Sequence, residues 1–340
     1  MRLVKIIVPL MLLLATIALG APPPELRQVA IIDLPGRPGF DELAFAKGML
    51  VMTHAGAGTV DIFDPVKRRL IAHVKDMGKP RGIAVDEQGG RVYIGDAGTN
   101  SVVVLNIQDW QVLQSIPLKS APDSLFFLPE EHAVFVIYGA AQAIGAIDTA
   151  AQKEVRTTLL DGRPEYIADD PGRKLLYVTL QDKKQVIALD RQMNATRRFD
   201  LNASQPTGIA YDAKQDRIYV AVRYAVLSLN ADNGSEIARV PAPGGIDALW
   251  LDDANQRLFA AAGGSVFVIR TNGKLVADDE VATEVKGHTL AFDPQKKLVY
   301  MPGGREGRSK LLILRQVGSG NPAGETQSAE AQKKQLMPSQ

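Results

Sequence analysis

Apolar and polar positions in this chain alternate in short runs, and the clearest unit, Pro164 to Asp190 (PEYIADDPGRKLLYVTLQDKKQVIALD), fits a strand period and no helical one. The apolar run around Ile167 stops at Asp169-Asp170-Pro171-Gly172, residues that favour a tight turn. Leu175 to Thr179 and Val186 to Leu189 then predict two further strands, rich in β-branched and aromatic residues. The unit recurs. Its first-strand apolar residue falls at Leu43, Ile83, Leu125, Ile167, Ile209, Leu249 and Leu290, in steps of 40, 42, 42, 42, 40 and 41. The centre of the second strand falls at Val51, Tyr93, Phe135, Tyr177, Tyr219, Phe259 and Tyr300. Two independent positions thus agree on seven copies with a period near 41. Strands at that period form four-stranded blades, so the predicted fold is all-β, a seven-bladed β-propeller.

The two ends of the repeat array differ from its interior. Gln28 to Leu34 (QVAIIDL) reads as an orphan strand before the first copy, similar to the outer strands at Val112 to Leu118 and Glu236 to Val240. The last copy runs through three strands into Gly318-Ser319-Gly320-Asn321-Pro322 with no fourth. The expected closure places the N-terminal strand in the last blade as its missing edge, which removes two open edges. Before it, Arg2 and Lys5 precede an apolar run from Ile6 to Leu19, and Ala18-Leu19-Gly20 before Ala21 suits signal peptidase. The organisation expected is a signal peptide at 1–21, the propeller at 22–317 and a polar, disordered tail at 318–340. The apolar run is short for a membrane helix, so no stable span is expected after cleavage and the protein is placed in the periplasm or outside the cell.

Charge and composition narrow the function classes. Lys and Arg total 39 against 38 Asp and Glu, and 6% of residues are aromatic, so neither a global field nor stacking platforms favour nucleic acid. There is no cysteine, which excludes an acylated-cysteine anchor. A single ring of this size buries enough core to dispense with disulfides, and a monomer is expected. The chain has no Gly-x-Ser-x-Gly elbow, phosphate loop or haem attachment site. Asp64, Asn106, Asp148, Asp190 and Asn230 end the third strands of five copies, where a short side chain can accept N–H bonds from the next turn. His73 on an outer strand and His132 in a turn read as surface residues.

LYVTLQDKKQVIALD, VYIGDAGTNSVVVLN and VFVIYGAAQAIGAID resemble the YVTN repeat, and PTGIAYD and PRGIAVD resemble both that family and the related NHL repeats. The asparagine of the pattern is replaced by His54, Asp96, Tyr138, Leu180 and Val222, and the last two copies are eroded. The resemblance covers residues 40 to 315 and implies a seven-bladed propeller, while relatives serve as binding scaffolds, redox-enzyme subunits and lyases. Propellers that hold pyrroloquinoline quinone (PQQ) carry a tryptophan in most blades, whereas this chain has only Trp110 and Trp250. Neither PQQ nor haem is therefore expected.

In such a ring the residue just before the first apolar run rims the central channel. Those positions hold Asp41, Arg81, Asp123, Glu165, Thr207, Asp247 and His288, a concentration of carboxylates well above the 23% of charged residues overall. The loops between second and third strands open on the same face and add His54, Asp96, Tyr138, Gln181, Arg223 and Arg305. An acidic ring with basic and aromatic neighbours suits a ligand site. Pro122-Asp123-Ser124 and Pro164-Glu165-Tyr166 look similar to the segment in gluconolactonase-like propellers whose aspartate binds a divalent metal. That likeness implies a metal set of Asp123, Glu165, Asp247 and His288. Oxygen ligands suit calcium or magnesium, and the histidine admits zinc or manganese. The plainer expectation is a solvated polar mouth with its acids paired to Arg81. Two functions follow: an extracytoplasmic binding module that docks a protein, peptide or small ligand at the mouth, or a metal-dependent hydrolase, lactonase or lyase using the channel carboxylates.

Overall fold

The computed structural model describes residues 26–317, so the signal peptide and tail expected at 1–21 and 318–340 lie outside the described residues. Within them, apart from one turn of 3-10 helix at Pro129–Glu131, every regular element is a strand. The strands form seven antiparallel four-stranded sheets. Blades one to six span 43–74, 80–117, 124–159, 164–200, 209–241 and 249–282, each in simple up-and-down order. Blade seven takes Ala291–Asp293, Leu298–Arg305 and Arg308–Gln316 from the end of the chain and Leu26–Asp33 from its start. The expected seven-bladed propeller, closed by its N-terminal strand, is what the chain forms.

Blade faces stack on one another, and that stacking sets the polarity of each strand. The second strand of blade three, Ala133–Tyr138, is buried along its whole length because neighbouring blades cover both of its faces. Outer strands such as Val112–Pro117 are mostly exposed. The hydrophobic core therefore lies between blades. One cluster joins Tyr177 and Val186 of blade four to Val220 and Leu227 of blade five, and another joins Leu50 and Phe63 of blade one to Tyr300 and Ile313 of blade seven. The third-strand caps act as expected. Asp64 Oδ1 accepts the N–H of Val66 and Lys67, Asp148 Oδ1 those of Ala150 and Ala151, and Asn230 Oδ1 those of Asp232 and Asn233.

Ring closure reproduces the geometry of an ordinary outer pair. In blades one to six the third and fourth strands shift register once, at Ile62/Phe63, Val104/Leu105, Ala146/Ile147, Ala188/Leu189, Ser228/Leu229 and Val268/Ile269. The closing strand shifts between Gln28 and Ala30, opposite Leu314 and Ile313, at the same repeat position. The N-terminal strand thus carries the bulge that twists an outer strand onto its blade.

A buried polar cluster fastens this joint. His54 Nδ1 meets Asp61 Oδ2 at 2.9 Å and Nε2 meets the Arg37 carbonyl at 2.7 Å, so both ring nitrogens face acceptors. His73 Nδ1 lies 2.6 Å from the other Asp61 oxygen, which corrects its reading as a plain surface residue. Ser309 Oγ, 3.3 Å from His54 Nε2, donates to the Gly36 carbonyl. Ser309, His54 and Asp61 have the order of a hydrolase triad, but at 1%, 0% and 0% exposure no substrate reaches them. They join blade one, the segment after the closing strand and the strand Arg308–Gln316.

Deleting Gln28 to Leu34 should lower the melting temperature sharply, because it bares the edge at Leu311 to Leu314 and at ~25 cal/mol per Å² of apolar surface the loss reaches several kcal/mol. An unchanged melting curve would refute this closure. His54→Ala should destabilise the ring by about 3 kcal/mol, since it leaves the buried Oδ2 of Asp61 without its partner, and thermal unfolding of the variant checks it.

Candidate functional site

The innermost strands start at one face of the ring, and the residues at their starts converge there. Arg81 is the centre of the cluster. Its Nη1 donates to Asp123 Oδ1, and its Nε lies 3.7 Å from Asp41 Oδ2. The second Asp123 oxygen accepts the Gly139 N–H at 2.9 Å, which fixes the carboxylate against blade three. Asp247 Oδ2 meets His288 Nδ1 at 2.5 Å, and Glu165 Oε1 meets Arg163 Nε at 2.9 Å. Asp41, Arg81, Asp123, Glu165, Asp247 and His288, predicted from one repeat position, therefore do share the channel mouth.

Partial burial perturbs these groups strongly. Loss of water pushes the Asp41 carboxyl up to about 6; Arg81 and His288 oppose that shift while Asp247 and Asp123 add to it. Glu165 is pushed up to about 7, first by burial and then by Asp123 and Asp247, against Arg163 and Arg81. The Asp247 hydrogen bond raises His288, and burial works the other way. Acids of blades one, three, four and six thus act on one another around the axis.

Other expected members of the mouth are engaged elsewhere. His54 belongs to the closure cluster, because the neighbouring Asp61 and Arg37 carbonyl draw its ring inward. Asp96 is buried and accepts the N–H groups of Gly78, Lys79 and Gly98, so it shapes a loop. Tyr138 is buried with its hydroxyl on Glu154 at 2.7 Å. Thr207 stays half-buried, but its hydroxyl donates to the Ile246 carbonyl at 2.6 Å and so ties blade five to blade six. Arg223 is exposed, its guanidinium 5.3 Å from the Tyr224 ring centre. Arg305 pairs with Glu284 at 2.6 Å, and the Gln181 N–H donates to the Arg163 carbonyl.

The metal set also fails its geometric test. Among the described residues no group of three or more His, Asp and Glu side chains is placed to hold a metal ion. Asp123 turns to Arg81 and Gly139, Glu165 to Arg163, and Asp247 and His288 to each other. Asp123, Glu165, Asp247 and His288 therefore do not form the divalent-ion site that the gluconolactonase likeness implies.

Three residues of the site were missed in the sequence. Arg163 lies two positions before Glu165, outside the repeat column that rims the channel. Glu42 and Tyr166 lie one position inside it, in a column whose other members are Gly82, Ser124, Gly208, Ala248 and Thr289. A carboxylate and a phenol among small residues were the available signal. Glu42 Oε2 accepts the Ile83 N–H at 2.8 Å, and burial pushes its carboxyl up to about 8 despite that bond and the nearby Ser124 hydroxyl. Burial, together with Glu42 and the mouth acids, raises the Tyr166 hydroxyl well above its usual range.

Folded Glu42 keeps a proton that the unfolded chain gives up above about pH 4.5, so its contribution to stability is full in acid and is lost as pH rises through about 8. Glu42→Gln copies the protonated acid. At pH 8 it should raise the stability by a few kcal/mol, at ~1.4 kcal/mol per pKa unit, seen as a higher melting temperature, and it should change little at pH 4. An equal effect at both pH values would contradict a buried neutral carboxyl.

Comparison with known proteins agrees with this architecture. The NHL repeat family matches residues 77–105, the first three strands of blade two. No curated protein matches the chain in sequence. Among solved structures, one titled hydrazine synthase from Kuenenia stuttgartiensis superposes with a TM-score of 0.74 at 16% identity, over 84% of this chain and 97% of that one. At that identity the likeness concerns fold alone. No described helix is long and apolar enough to cross a membrane. By fold the chain is a seven-bladed β-propeller, and its second blade matches the NHL repeat.

Proposed function

We propose that the protein is an extracytoplasmic binding module that docks a cationic group of a partner protein or peptide, a lysine or arginine side chain, at the acidic channel mouth. A propeller with an NHL repeat fits a protein-interaction module. The apolar run at Ile6 to Leu19 supports its export. The observation that carries the reading is the crowding of Asp41, Asp123, Glu165 and Asp247 around Arg81, Arg163 and His288. Although Arg81 and Arg163 stand beside Asp41 and Glu165, burial and neighbouring acids hold those carboxyls up at about 6 and about 7. Negative charge at the mouth is thus under-compensated, and an incoming ammonium or guanidinium would relieve it where water is scarce. The hydrolase alternative rests on a metal set whose members turn to other partners.

The test is titration with acetyl-tetralysine amide at constant ionic strength. Binding should be tighter at pH 8, where Asp41 and Glu165 are ionised, and fall by about tenfold or more by pH 5.5, a loss of at least ~1.4 kcal/mol. Asp41→Asn with Glu165→Gln should weaken binding at pH 8 and flatten its pH dependence. Affinity that ignores both pH and the double substitution would refute the mouth as the docking site.

A further inference from the structure

The opposite end of the channel differs from the mouth in chemistry. Where the innermost strands finish and turn into the second strands, blades one, two, three, six and seven surround a cavity of about 650 Å³. Its walls carry Phe45, Phe126, Phe127, Trp250 and Phe292, five aromatic residues in a chain that is only 6% aromatic. Four of them, Phe45, Phe126, Phe127 and Trp250, are half-buried and so keep ring surface in water after packing on the protein. The volume is typical of small-molecule sites, which are mostly apolar and aromatic-walled.

Two of these rings break the repeat. One residue beyond the apolar marker of the first strand the chain has Ala44, Ala84, Ala168, Ala210 and Ala291, but Phe126 in blade three and Trp250 in blade six. Five copies show that alanine satisfies the fold at this position. The bulky pair goes beyond what five copies use at this position; each packs in part on an inter-blade cluster, and both line the cavity. Trp250 is fixed edge-on to Phe45, with ring centres 6.3 Å apart and planes at 90°.

The charges around the cavity come in both signs and cancel. Lys296 Nζ is 2.8 Å from Asp293 Oδ2, Glu87 Oε1 accepts the Lys47 backbone N–H at 2.7 Å, and the lining holds two cationic residues, Lys47 and Lys296, against two anionic ones, Glu87 and Asp293. Such a border offers a charged guest no net attraction, while entering the apolar interior would strip its hydration. We propose that this cavity binds an uncharged, planar aromatic small molecule, seated against Trp250 and Phe126. The guest gains by taking the leftover ring surface out of water and by ring-to-ring contact.

The test uses N-phenyl-1-naphthylamine, a neutral aromatic dye, with the protein in a Trp110→Phe background so that Trp250 is the only indole. The expected result is saturable binding of one dye per chain with a matching change in Trp250 emission. Phe126→Ala, Trp250→Ala and the cavity-filling Ala44→Leu should each weaken binding at least tenfold. The first two restore the alanine found in the other copies, and cooperative melting of each variant confirms that it folds. Charged relatives, anilinonaphthalene sulfonate and a phenyltrimethylammonium salt, should bind at least tenfold more weakly than the neutral dye. Absence of saturable binding would overturn the proposal, as would affinity retained in all three variants or charged probes binding as tightly as the neutral one.

Discussion

A blade in this protein has no solvent side, because each of its faces is covered by the next blade, and the core consists of what lies between them. Such a core is complete only if the ring is complete. The pairing of Leu26–Asp33 with Arg308–Gln316 is therefore the contact on which every inter-blade cluster depends. Its bulge at Val29 repeats the irregularity of the outer pairs in the other six blades, so the joint twists as they do and leaves no step in the ring. Polar closure at the same place is local and buried. Asp61 occupies a third-strand position held elsewhere by Val103, Gly145, Ile187, Leu227, Phe267 and Leu312; His54 and Thr59 hydrogen-bond to it, and His73 Nδ1 stands close to its other oxygen.

Closing the ring brings one repeat position to one axis. Asp41 and His288 are far apart in sequence, yet each influences the protonation of the other at the mouth. The cluster is not simply a neutral salt-bridge ring. Arg81 is shared between Asp41 and Asp123, and Asp247 has only His288, so acids of four blades compete for few cations. Burial sharpens that competition, because water can no longer screen the acids from one another. This is why Asp41 and Glu165 are pushed up toward neutrality although they are an ordinary aspartate and glutamate.

The period, the blade count, the closing strand and the turn caps were legible because each is written in a pattern that repeats. Periodicity also located the mouth, since the residue before Leu43, Ile83 and their equivalents had to face the axis. It could not say which polar residues remain available there. His54, Asp96 and Tyr138 end second strands at the correct face, but their partners, the Arg37 carbonyl, the Gly78 and Lys79 N–H groups and Glu154, are set by tertiary packing that no spacing records. The metal set failed for the same reason: composition supplied ligand types, and neighbouring Arg81 and Arg163 decided where the oxygens point. What stood out in hindsight were departures within a column, Glu42 and Tyr166 among small residues and Trp250 and Phe126 among alanines.

The two ends of the channel are carried by the same short strands, with Asp41 and Phe45 four residues apart, roughly 13 Å at ~3.3 Å per residue. An acidic end and an aromatic end so close together would interfere if charge extended inward from the mouth. Glu42 lies between them, hydrogen-bonded to Ile83, which itself lines the aromatic cavity. Burial keeps its carboxyl protonated at neutral pH, so the residue beneath the mouth contributes polarity without charge. Ionisation of Glu42 would add an anion to the field already felt by Asp41 and would place it directly behind the apolar wall. A proton held on Glu42 keeps charge away from the apolar wall, and so favours an acidic end and an apolar end on the same strands.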